Sequence, residues 1–200
     1  VTEIELIDRI YLVGAPGIGK TEIVKQKAME EAKSLGRVFV DLREADDEKI
    51  ADIMRNPGKY YVFLRVPATH IMPEDFAIPL KVTDANVKYY EHLPPKVFAI
   101  LSLPNIYGVL FLDEINNVQR EDQITALFSL IQERQVGWTA RKLSANVKIV
   151  AAGNPQEWSP VANPLPLPLR MGRLITIEVE PPTVDEWIMY MNRTYGDGWD

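Results

Sequence analysis

The chain has 200 residues, of which 46% are hydrophobic and 25% charged, with a net charge of −6 and no cysteine. Those values describe a globular protein large enough for one well-buried domain and leave no room for a long disordered tail. They exclude disulfides, zinc-thiolate sites and a cysteine nucleophile, and a pI near 5.1 means that nucleic acid could be gripped only through a local basic patch.

The first predicted element is a short buried strand, Ile10 to Val13. Behind it stands Gly14-Ala15-Pro16-Gly17-Ile18-Gly19-Lys20-Thr21, and then Val24, Ala28, Ala32 and Leu35 recur at near-helical spacing until Gly36. Strand, glycine loop and helix in that order fit G-x-x-x-x-G-K-[ST], the Walker A pattern. Glycines let backbone N–H groups turn inward around a phosphate, which a Cβ would obstruct, and the helix adds its positive N-terminal end. Lys20 is then the expected partner of β- and γ-phosphates, and the Thr21 hydroxyl a ligand of Mg²⁺. A glycine turn that binds nothing is the bland alternative, but the pattern arises by chance in only roughly 1% of chains this long.

Arg37 to Leu42 alternates as a strand does, Asp46 to Arg55 reads as a short helix, and Tyr60 to Val66 is a second β-rich run. From Pro67 to Pro104 prolines and polar residues predict an irregular excursion containing short strands, with a hairpin around Lys81 to Tyr90. His70 and His92 lack the partners of a metal site.

Val109-Leu110-Phe111-Leu112-Asp113-Glu114 is an apolar strand ending in two carboxylates. Alone it could be a core strand followed by a helix N-cap. Beside Walker A it reads as Walker B, with Asp113 holding Mg²⁺ through water and Glu114 polarising the attacking water. Ile124, Leu127, Phe128 and Ile131 mark an amphipathic helix, and Gln135 to Lys148 is a hairpin candidate carrying Trp138, Arg141, Lys142 and Lys148.

Val147 to Ala152 predicts another buried strand, with Asn154 beyond its end, where the side chain could orient a lytic water or simply make an Asn-Pro turn with Pro155. Arg170 and Arg173 precede a strand over Ile175 to Val179, and either could reach the γ-phosphate of a neighbouring subunit or be an ordinary surface arginine. Thr183 and Glu186 form a capping-box signature at the start of a final helix bearing Trp187, Ile188, Tyr190 and Met191. Strands alternating with helices predict an α/β fold with a mostly parallel central sheet and helices on both faces.

Nothing here is a membrane span: the most apolar region, Val97 to Ile115, is broken by Ser102, Pro104, Asn105 and Gly108. Glu3, Glu5 and Asp8 stand where a signal peptide needs basic residues, so the expected localisation is cytoplasmic.

The order of these features resembles that of the AAA+ ATPases. The wording "LFLDEINNVQREDQITALFSLIQERQVG" followed by "IVAAGNP" is similar to the MoxR-like branch, as is Met72 to Pro79. The resemblance spans most of Tyr11 to Trp187. It implies a three-layer P-loop NTPase fold, with residues 1–180 forming the nucleotide-binding domain and 181–200 beginning a truncated helical lid. It implies ATP and Mg²⁺ as ligands, Walker A at Gly14 to Thr21, Walker B at Asp113 and Glu114, sensor 1 at Asn154 and an arginine finger at Arg173, with Arg170 as fallback. A hexameric ring that hydrolyses ATP to remodel a protein client, with a von Willebrand A-type domain as partner, follows from the same resemblance. Asn117, Ala77 and Leu174 depart from the usual arginine, glycine and phenylalanine of that branch. Two other readings share the core: a motor or loader using the Trp138 loop on nucleic acid, and an adaptor that binds ATP without efficient turnover. No N-K-x-D sequence for reading guanine occurs.

Overall fold

A computed structural model of the chain describes residues 5–76, 78–139, 141–154, 165, 169 and 174–196. Its elements are β1 (Ile10–Val13), α1 (Lys20–Ser34), β2 (Val38–Asp41), α2 (Asp47–Arg55), β3 (Tyr60–Pro67), β4 (Ile78–Asp84), β5 (Val87–Leu93), α3 (Lys96–Leu101), β6 (Tyr107–Asp113), α4 (Glu121–Glu133), β7 (Val147–Gly153), β8 (Ile175–Glu178) and α5 (Val184–Tyr195).

Six strands form one sheet in the order β2-β3-β6-β7-β1-β8, every pair parallel. Parallel neighbours need crossovers, so helices lie on both faces and the inner strands are apolar on both sides. Strand alternation sorts the side chains. Ile10, Leu12, Tyr61, Phe63, Val109, Phe111, Val150 and Ala152 pack with Val24, Ala28 and Ala32 of α1. Tyr60, Val62, Leu64, Leu110, Leu112, Ile149 and Ala151 face the other way, onto Ile50 and Ile53 of α2, Phe98 and Ile100 of α3, and Leu127, Leu130 and Ile131 of α4. Each large apolar side chain so enclosed contributes about 1.5–3 kcal/mol.

Gly108 explains how β3 and β6 come together, because a Cβ there would fall onto the Val62 carbonyl oxygen. α2 is started by Asp46, whose carboxylate accepts from the Lys49 N–H at 2.8 Å. α5 has the expected capping box: Thr183 and Glu186 each bond the other's backbone N–H.

One expected hairpin is met with wider bounds and another is not. The hairpin expected around Lys81 to Tyr90 is present, as an antiparallel ribbon of two seven-residue strands, β4 with β5, that extends beyond those bounds and is followed by the short helix α3. Cross-strand pairing of Lys81 with Tyr90 and Val82 with Tyr89 overrides the single-strand signals that prolines suggest. Among the described residues the hairpin candidate Gln135 to Lys148 shows one bridge, Gln135 with Lys142, around a turn. Lys148 belongs to β7, where its ammonium donates to the Leu6 carbonyl and to Glu31 at 2.6 and 2.7 Å, so it is no part of a basic loop.

Candidate functional site

β1, β6 and β7 end side by side, and their carboxyl ends carry the glycine loop, Asp113 with Glu114, and Asn154. Open parallel sheets place ligands at such ends. The loop is shaped by its glycines: Gly17 and Gly19 have φ of 79° and 84°, a region that side chains rarely enter. A Cβ on Gly14 would lie 2.6 Å from the Val179 backbone oxygen, so this glycine lets the loop rest against the end of β8. Gly19 precedes Lys20, the first residue of α1, and the N–H groups of a helix's first turn have no intrahelical acceptor. They form a ready seat for an anion.

Lys20 is buried, and its ammonium donates to the carbonyls of Gly14 and Ala15 at 2.8 and 2.9 Å and to Asn154 Oδ1 at 3.0 Å. Among the described residues no carboxylate lies within ion-pair distance of it. Burial pulls its pKa down, and the field of Asp113 opposes that shift. A buried cation held only by neutral oxygens beside a helix N-terminus is short of a counter-anion, and a phosphate group fits that deficit.

Asp113 sits at the end of β6, largely covered, with both oxygens engaged. Oδ2 accepts from Arg65 Nε and Nη2 at 2.9 and 2.6 Å, and Oδ1 accepts from the Glu114 N–H at 3.0 Å. Glu114 itself is exposed and has φ 54° and ψ 38°, a left-handed conformation that costs a non-glycine residue about 1–2 kcal/mol. Thr21 is half-buried in the first turn of α1. A carboxylate and a hydroxyl are the hard oxygen donors that suit Mg²⁺, which takes few protein ligands and relies on phosphate oxygens. Among the described residues no group of three or more His, Cys, Asp or Glu is placed to hold a metal.

Asn116 and Arg65 carry contacts that motif reading missed. Asn116 is buried, donates from Nδ2 to the Asn154 carbonyl at 2.6 Å, and accepts the Asn154 N–H at Oδ1, 3.3 Å. This amide pair ties the loop after β6 to the end of β7, leaving the Asn154 side chain to meet Lys20. Gly153 makes the tie sterically possible, since a Cβ there would meet Asn116 Oδ1 at 2.6 Å and also the Tyr11 hydroxyl. Burial raises the Tyr11 phenol to about 12. The signal for Arg65 is a lone charge near the end of an apolar strand. Arg170, Arg173 and Pro155 lie outside the described residues.

With this geometry in place, the chain can be set beside known proteins. No family model matches it, and no curated protein matches it. Among solved structures it is similar to a candidate ATPase from Cytophaga hutchinsonii, at 17% identity and a TM-score of 0.52, over 96% of this chain and 48% of that one. Thermotoga maritima RuvB, as a point variant, aligns at 19% identity and a TM-score of 0.47, over 94% of this chain and 43% of that one. The chain thus spans about half the length of the structure it resembles. Sheet order and this likeness define an α/β fold with a parallel six-stranded sheet and helices on both faces, and the glycine loop after β1 fits the Walker A pattern. Among the described residues no helix is long and apolar enough to cross a membrane.

Proposed function

We propose that this chain is the ATP-binding and ATP-hydrolysing core of a MoxR-like AAA+ ATPase, a cytoplasmic protein that works in a hexameric ring and remodels a protein client, with a von Willebrand A-type domain as candidate partner. The observation that carries the reading is Lys20, buried at the mouth of the glycine loop and held by three neutral oxygens. In this account residues 1–180 are the nucleotide-binding domain and 181–200 begin a helical lid, which agrees with the exposed apolar side chains of α5.

The backbone N–H groups from Gly17 to Thr21 receive the β-phosphate, and Lys20 turns from the loop carbonyls to β- and γ-phosphate oxygens. Thr21 and Asp113 hold Mg²⁺, which when bound neutralises charge on the transferred phosphoryl group. Glu114 polarises the attacking water, and Asn154, already beside Lys20, orients it. Arg173, or Arg170 in its place, reaches the γ-phosphate of a neighbouring subunit.

The test pairs binding with turnover. Glu114→Gln is expected to keep ATP affinity and lower turnover by about a hundredfold to a thousandfold. Turnover per molecule should climb with protein concentration in the wild type and collapse in Arg173→Ala. Glu114→Gln turning over ATP at the wild-type rate would end the catalytic assignment, and tight binding without turnover at any concentration would favour a nucleotide-responsive adaptor.

A second reading rests on Trp138, which is 83% exposed with Arg141 and Lys142 exposed nearby. An open aromatic beside cations suits stacking on single-stranded nucleic acid. Salt-sensitive binding lost in the Arg141→Ala, Lys142→Ala double variant would support it, and no binding at low salt would remove it.

A further inference from the structure

The guanidinium of Arg65 occupies the carboxylate oxygen that a divalent cation would use. Both of its bonds, from Nε and Nη2, go to the single atom Asp113 Oδ2, and the other oxygen takes the Glu114 N–H. Arg65 comes from β3, which pairs in register with β6 so that Val66 lies opposite Leu112 and Pro67 opposite Asp113. The Asp113 side chain is 13% exposed and that of Arg65 is 41% exposed, so the acid is fixed while the arginine has room to leave.

A divalent ion approaching Asp113 meets a cation already bonded there. Sharing the carboxylate would set two positive centres a few ångströms apart, and evicting Arg65 would leave its guanidinium without the ion pair it now has. Neither cost applies when polyphosphate is present, because phosphate oxygens offer the guanidinium a new bidentate acceptor and supply the ion with most of its ligands.

We propose that Arg65 is a positioning residue that keeps divalent cation off Asp113 until polyphosphate enters the glycine loop. This rests on the nucleotide reading given above and adds to it the order of loading: the cation enters with the nucleotide. By linkage the cation raises nucleotide affinity by the same factor as nucleotide raises cation affinity, and removing Arg65 is expected to shrink that factor.

The test measures Mn²⁺ affinity of the full chain by electron paramagnetic resonance, with and without ADP, alongside ADP affinity in chelator. In the absence of nucleotide, Arg65→Gln is expected to bind Mn²⁺ about tenfold more tightly than wild type, and Asp113→Asn in the same background to lose that gain. Arg65→Met, which keeps the aliphatic stem, should do the same and guards against a folding defect peculiar to glutamine. Mn²⁺ affinity equal to or weaker than wild type in both variants, with ADP still bound, overturns the assignment of Arg65 alone. Failure of the wild-type chain to bind ADP at all overturns the nucleotide reading and the coupling together.

Discussion

At the carboxyl ends of β1, β6 and β7 the polar side chains are bonded to one another: Lys20 to Asn154, Asn154 to Asn116, Asp113 to Arg65. In the β4–β5 ribbon and on α5 the large apolar side chains lie open instead, with Ile78 62%, Tyr90 68%, Val184 73% and Met189 70% exposed. A two-stranded ribbon is marginal in water by itself, and this one forms a sheet of its own beside the six-stranded sheet. The contrast shows where geometry is over-determined and where it is not: change at the strand ends should cost stability and ligand affinity together, whereas change in the ribbon should cost neither.

The largest effect on stability is expected at Gly108. Gly108→Ala drives a Cβ onto the Val62 carbonyl, and the parallel pairing of β3 with β6 should yield by about 2–3 kcal/mol in urea unfolding. Asn116→Ala comes next. It strips both backbone partners from Asn154, so about 1–3 kcal/mol of stability should go, together with several-fold weaker nucleotide binding. An Asn116→Ala chain that unfolds and binds nucleotide like the wild type would break the comparison at its stronger end. In the ribbon, Leu80→Ser and Tyr90→Ser should leave the unfolding free energy within about 0.5 kcal/mol of wild type. A larger loss there would show that the ribbon is packed more firmly than its exposure indicates.

A smaller effect comes from pH, at the tyrosines buried among the strands. Burial raises the Tyr11 phenol from 10.0 to about 12. Tyr61 is also raised, by burial first and then by the Glu31 carboxylate that accepts its hydroxyl at 3.0 Å. The folded state holds both protons more tightly than the unfolded chain, and the contribution of Tyr11 is complete below pH 10 and declines as pH rises through about 12. Tyr11→Phe should flatten the loss of stability above pH 10 in urea unfolding followed against pH.

How much of this was legible in the sequence follows from the range of each interaction. The glycine loop was legible because its backbone requirements are local: Gly17 and Gly19 take the left-handed conformations that their residue type permits, β1 ends at Val13 and α1 begins at Lys20. The buried strands were legible because apolar runs such as Val109 to Leu112 are what two covered faces demand. The ribbon was only half legible, since its prolines and polar residues argue for loop and only pairing between β4 and β5 answers them. Asn116 and Arg65 were not legible as site residues. Asn116 bonds a residue 38 positions away, and Arg65 meets Asp113 only because β3 lies beside β6, a fact of topology that no local window contains.

The central claim is that the glycine loop and Lys20 form a seat for the phosphates of ATP. Calorimetric titration of Mg-ATP into the wild type and Lys20→Ala, with circular dichroism showing both folded, tests it most directly. Saturable binding by the wild type, weakened about a hundredfold or more in Lys20→Ala, is the predicted result. Equal affinity in the two chains, or no binding by a folded wild type, would contradict it.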